Sequence, residues 1–222
     1  IVGAGNSAED GTIVYEMDRA TRDRFNHIKL ESDQDGLIDY GTEQGWHHHV
    51  IAFIRQHADA ILPSDEDRAN DNLAAPSPRS HEAVSNQLKA FDAGYISVET
   101  RDTLICGKLG NWAGDLLIEA IEDEESRFDT LSLVESKPED RVYPTTPFGA
   151  FSLAGALNGY ATDPEKLDKA IDVMLCMPNH IHQCVEESKT TFIHDIGDKL
   201  RQWRLYPKYS RDARVLPFLA ET

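Results

Sequence analysis

Cationic side chains are scarce in this chain. Its 222 residues hold 22 Lys and Arg against 39 Asp and Glu, a formal charge of −17. A general grip on nucleic acid draws on clustered cations, so that class of function is not expected; only a local basic loop around a pore could supply it. Cysteine is also sparse. Cys106, Cys176 and Cys184 are too few for a disulfide framework and fit a reducing compartment. Long apolar runs are missing, the longest falling far short of a membrane span, and no secretory leader pattern is visible. With 40% hydrophobic residues the composition is that of a globular chain, and a cytoplasmic protein is the expectation.

Against these absences the segment Ile1–Leu30 has a clear order. Ile1 to Ala4 is a short apolar run ending at Gly5-Asn6, as in a buried strand that presents one polar side chain at its carboxyl end. A polar loop, Ser7 to Thr12, contains Gly11. From Ile13 to Phe25 helical spacing returns with Val14, Met17 and Thr21, and the stretch carries Arg19, Arg22 and Arg24. His27 to Leu30 reads as a second short strand. Farther on, Ser77-Pro78-Arg79-Ser80 opens a helical pattern through Val84 and Leu88: Ser77 is a good cap and Pro78 suits the first helical position.

Strand, polar tip, arginine-bearing helix and strand, followed by a Pro-Arg pair at a helix start, resembles the second half of a MoxR-like AAA+ ATPase. The resemblance implies an α/β remnant of a P-loop AAA+ core followed by a mainly α-helical lid and carboxyl-terminal region. It further implies a hydrolase using ATP and Mg²⁺ in a hexameric ring that remodels a client, with a von Willebrand factor A domain protein as a partner. By the same resemblance Asn6 is the sensor residue that orients the attacking water, Arg24 the finger reaching a neighbouring subunit, Arg22 the alternative finger, and Arg79 the lid sensor of the terminal phosphates. A forked, permanently charged guanidinium suits charge developing on a transferring phosphoryl group. The plainer readings are an Asn in a turn and arginines complementing a helix carboxyl end. Arg79 fits the plain reading poorly, because a helix start disfavours a cation.

One departure is large. No Gly-x-x-x-x-Gly-Lys-Ser/Thr loop occurs anywhere in the sequence, and no strand ending in paired Asp-Glu carboxylates precedes Asn6. The expectation is therefore the carboxyl-terminal portion of a longer protein, divided into 1–33 (end of the α/β core), 34–95 (lid) and 96–222 (helical extension). A non-hydrolysing scaffold or adaptor built on the helices after Thr100 is the alternative.

The remaining pattern is helical. Val50, Phe53, Ile54, His57 and Ile61 share a face stopped by Pro63, and Ser64 to Ser77 reads as a loop. Ser97 opens another helix, and Asn111 caps one with Trp112, Leu116, Ile118 and Ile121 apolar. Phe148 to Asn158 is mostly apolar, Asp163-Pro164 opens the next helix, and Pro178 starts one carrying His180 and Cys184. Two metal candidates arise. His47, His48 and His49, if all helical, diverge by about 100° per residue and would not converge on one ion. Cys176, His180 and Cys184, with His182 near, place only two ligands on one helix. No metal site is expected from either.

Overall fold

Most helix starts up to Pro164 are set by side-chain acceptors that take backbone N–H groups the first turn leaves open. The computed structural model describes residues 18–28, 33–70, 72–125, 129–179 and 184–219. Asp18 caps α1 (Arg19–Arg22), Asp33 caps α2 (Gln34–Glu43), and the His47 ring caps α3 (His48–Gln56). Ser64 caps α4 (Asp65–Ala69), Ser77 caps α5 (Pro78–Asp92) and Ser97 caps α6 (Val98–Leu109). After α7 (Asn111–Glu125), Asp129 caps α8 (Thr130–Glu135), Thr146 caps α9 (Pro147–Tyr160) and Asp163 caps α10 (Pro164–Cys176). The chain continues through α11 (Val185–Asp195), α12 (Gly197–Gln202), α13 (Tyr206–Tyr209) and α14 (Leu216–Leu219).

The architecture is mainly helical, with no strand among the described residues. The α/β expectation rests on Ile1–Ala4 and on His27–Leu30. The first lies outside the described residues; of the second, His27 and Ile28 are exposed and not in a strand, and residues 29–30 lie outside. Of the helix expected from Ile13 to Phe25, residues 13–17 lie outside the described set; α1 begins at Arg19, where the Asp18 carboxylate accepts the Thr21 N–H at 3.0 Å. Arg24 consequently stands beyond the helix end, in a turn.

Two apolar cores share one helix. The first gathers Ile38, Val50, Phe53, Ile54, Val84, Leu88, Ile105, Leu109, Leu117 and Ile121 with Phe148 and Phe151. The second gathers Leu133, Leu153, Leu157, Leu167, Ile171, Met174, Phe192, Ile193 and Leu200 with Val215. The bridge is α9: Phe148 and Phe151 belong to the first core, and Ala150, Leu153, Ala154 and Leu157 to the second. Its apolar residues surround the whole helix, the signature of a central element. The first core runs without a break across position 95, from α5 into α6 and α7.

Three local readings need correction. Ser64 to Ser77 is not all loop, since Ser64 and Asp67 form a reciprocal capping box that holds α4. The apolar face of α7 is Ala113, Leu117 and Ile121, with Leu116 on the exposed side. The helix expected from Pro178 is found only from Val185, with Cys184 as its cap residue and residues 180–183 outside the described set.

Candidate functional site

Of the arginines expected to meet phosphate, Arg24 and Arg79 are displayed at the surface. Arg24 is exposed, its backbone N–H closing on Thr21 O at 3.1 Å. Arg22 ends α1. Asn6 lies outside the described residues. Arg79 is the second residue of α5 and exposed, while His81, Val84, Ser85 and Leu88 of the same helix are buried. The turn beneath it is well determined: Ser80 N–H reaches Ser77 Oγ at 3.1 Å, and Ser80 Oγ donates to Ala75 O at 3.0 Å. No hydrogen bond or ion pair among the described residues joins Arg24 to Arg79. The sequence has no phosphate loop, and the described residues form no cradle for a triphosphate or Mg²⁺; a guanidinium such as that of Arg24 or Arg79 is suited to approach phosphate.

A cleft lies near the carboxyl end, lined by Leu175, Asn179, Glu186, Lys189, Arg214 and Phe218. Lys189 is its buried member, donating to Met177 O at 2.6 Å and Asn179 Oδ1 at 2.7 Å. Burial draws its pKa below the usual lysine range. Both N–H bonds serve to close the α10–α11 connection, and the acidic lining of Glu186 and Glu187 offsets the two cations.

The densest polar cluster is the one that sequence reasoning set aside. His47 precedes α3 with φ −61° and ψ 135°, an extended conformation, so its ring folds back over the first turn. The rings of His47 and His48 stack at 4.2 Å between centroids, His48 and His49 lie at 4.3 Å, and His47 and His49 at 4.8 Å. One ligand nitrogen from each lies within 4.8 Å of the other two. The divergence of about 100° per residue holds only when every residue is helical, and His47 is not.

Neighbouring helices hold the cluster. Ser85 Oγ of α5 accepts the His47 backbone N–H at 2.7 Å, and His47 Nε2 lies 2.9 Å from the Asp92 carboxylate at the end of the same helix. His47 Nδ1 accepts the His49 backbone N–H at 3.2 Å. The hydrogen bond from His47 holds the Asp92 carboxyl below its usual range, with Arg101 adding to the effect. Burial, with the two adjacent rings, pushes the His48 pKa well below 6.5. From α9, Phe148 stacks on His49 at 5.6 Å and Gly155 lies against His48. Ser85 and Asp92 carry no sequence signal tying them to His47; only the packing of α5 on α3 brings them there. Of the second metal candidate, Cys176 is exposed and Cys184 half-buried, and His180 and His182 lie outside the described residues.

Comparison with protein-family models, with curated proteins and with solved structures finds no match to this chain.

Proposed function

We propose that this chain is part of an ATP-hydrolysing ring protein of the AAA+ kind, comprising the end of its α/β core, its lid and a helical extension, and using its nucleotide cycle to remodel or activate a partner protein. The observation that carries the reading is the placement of Arg79. A cation at a helix amino terminus opposes the helix dipole, yet this one is held in solvent at the head of a helix of 15 residues whose other face is buried in the first core. A residue placed against local preference on a rigid element is suited to engage an anion brought from outside. In this reading Arg79 senses the terminal phosphates, Arg24 or Arg22 serves the neighbouring subunit, and Asn6 positions water. The ATP and Mg²⁺ cradle has no counterpart in this sequence, which lacks a phosphate loop. A hexameric ring, a von Willebrand factor A domain partner and a cytoplasmic setting complete the proposal. No described helix is long and apolar enough to cross a membrane.

A second reading has its own observation: the helices after Leu133 bury a core of their own, which suits a scaffold or adaptor that does not hydrolyse ATP. One experiment separates the two. ATP turnover is measured for the complete polypeptide, for Arg24→Ala, for Arg79→Ala, and for an equal mixture of Arg24→Ala with a phosphate-loop variant. Loss in each single variant, with recovery in the mixture, supports a finger acting between subunits. Absence of turnover in the wild type, or full turnover in both arginine variants, overturns the ATPase reading in favour of the scaffold.

A further inference from the structure

We propose that His47, His48 and His49 bind one divalent transition-metal ion of the zinc, cobalt or nickel class, with Asp92 as the outer carboxylate that orients His47. The site does not depend on the ATPase reading.

Geometry is the first support. A tetrahedral ion with metal–nitrogen bonds of about 2.0–2.1 Å holds its ligand atoms roughly 3.4 Å apart. The three nitrogens already lie within 4.8 Å of one another, so closure to that spacing shortens each separation by about 1.4 Å at most. Imidazole donors select zinc, cobalt, nickel or copper over magnesium and calcium, which require oxygen.

The protonation pattern is the second. Asp92 accepts at 2.9 Å from His47 Nε2, which fixes the proton on Nε2 and leaves the Nδ1 lone pair on the side of the cluster. A ligating histidine commonly donates its other N–H to a carboxylate in this way. Nδ1 accepts the His49 N–H at 3.2 Å, a distance that is long for such a bond. The ion takes over that lone pair, displacing the His49 N–H, a first-turn amide that has no carbonyl partner within the helix.

Rigidity and access are the third. Ser85 holds the His47 backbone, Phe148 stacks on His49 and Gly155 backs His48, so the ligands come from a packed junction of α3, α5 and α9. His47 and His49 are buried while His48 is only half-buried. The rim at His48 gives the ion an entry path and leaves its fourth position to water.

The test is a Co²⁺ titration of the full chain, carrying no affinity tag of histidines, followed by visible absorption and then by displacement with Zn²⁺. One Co²⁺ per chain is expected, with the strong visible bands of a four-coordinate ion, released by one equivalent of Zn²⁺. His48→Ala should weaken binding at least tenfold. Asp92→Asn, a change at a side chain 58% exposed, should weaken it about 10–100-fold with unchanged circular dichroism. His194→Ala, at an exposed histidine, should bind as the wild type does. The proposal is overturned if the wild type shows no saturable binding at one equivalent, or if folded Asp92→Asn binds with wild-type affinity. His48→Ala, should it fail to fold, is replaced by Asp92→Asn as the deciding variant.

Discussion

Gly155 of α9 lies so close to His48 of α3 that a Cβ placed on it would stand 2.6 Å from His48 Cβ and 3.3 Å from His48 Cα. The obstructing atoms sit at the root of a side chain and cannot swing aside, so an added methyl must push the two helices apart. Gly155→Ala is expected to cost about 1–3 kcal/mol net of the better helix propensity of alanine, lowering Tm by several degrees. Gly159, four residues on along the same helix, has nothing within 4 Å of a built Cβ. Gly159→Ala should therefore raise Tm slightly, and thermal unfolding of the pair isolates close approach from propensity. Equal effects of the two substitutions would contradict the close contact.

Asp67 connects α4 to α7. Its carboxylate accepts the Ser64 backbone N–H at 2.9 Å and the Ser64 hydroxyl at 2.7 Å, together with Asn72 Nδ2 at 2.8 Å and Trp112 Nε1 at 3.3 Å. These donors, the Ser64 hydroxyl foremost, lower its pKa from 3.8 to about 2. A carboxyl whose folded pKa is depressed stabilises the fold above its unfolded pKa, and that contribution disappears as pH falls from about 4 to about 2. Asp67→Ala should lose about 1–2 kcal/mol at neutral pH and show a shallower loss of stability across that acid window. Urea unfolding at pH 7, 4 and 2.5 measures both.

The caps of α5, α6 and α10 are legible from Ser77-Pro78, Ser97 and Asp163-Pro164, because a cap is a local event between residues two or three apart. The apolar character of α9 is legible too, though not its role between two cores, which depends on what packs against it. α4 is missed because its capping box uses Asp67 where Glu is usual, inside a run of acids that reads as loop. In α7 the pattern permits either Leu116 or Leu117 as the inward residue, and only the packing of α6 and α9 decides for Leu117. The histidine cluster depends on one backbone choice: with His47 helical the rings diverge, and with His47 extended they meet. Asn6, being outside the described residues, tests nothing in either direction.

Arg101 is only 1% exposed, with its guanidinium 4.7 Å above the Phe91 ring and Nε 2.8 Å from Asp102. Removing the side chain leaves a cavity between α5 and α6 and withdraws a positive charge from near Asp92. Arg101→Ala should cost about 2–4 kcal/mol. Arg101→Met keeps most of the volume, and Asp102 can turn to water because its side chain is 29% exposed. It should stay within about 1 kcal/mol of wild type, as apolar replacements of buried ions often do. Denaturant midpoints that rank Met as badly as Ala would show that the charge, and not the packing, carries the stability.

His81 is fully buried on α5, with Nε2 2.8 Å from Ala60 O, so that nitrogen bears the proton and donates. Burial lowers its pKa below 6.5, against the opposing pull of the Ala60 carbonyl. The folded protein thus takes up a proton at His81 less readily than the unfolded chain does. Its contribution is complete above pH 6.5 and declines as pH falls below that value, because each step down favours the state that binds more protons. Stability should drop between pH 7.5 and pH 5. His81→Gln keeps a side-chain N–H for Ala60 without titrating, so it should lower stability at pH 7.5 while flattening the slope. Urea unfolding at several pH values with a chelator present, which keeps metal at His47–His49 from adding its own pH dependence, measures the slope. An unchanged slope in His81→Gln would assign the acid sensitivity to other groups.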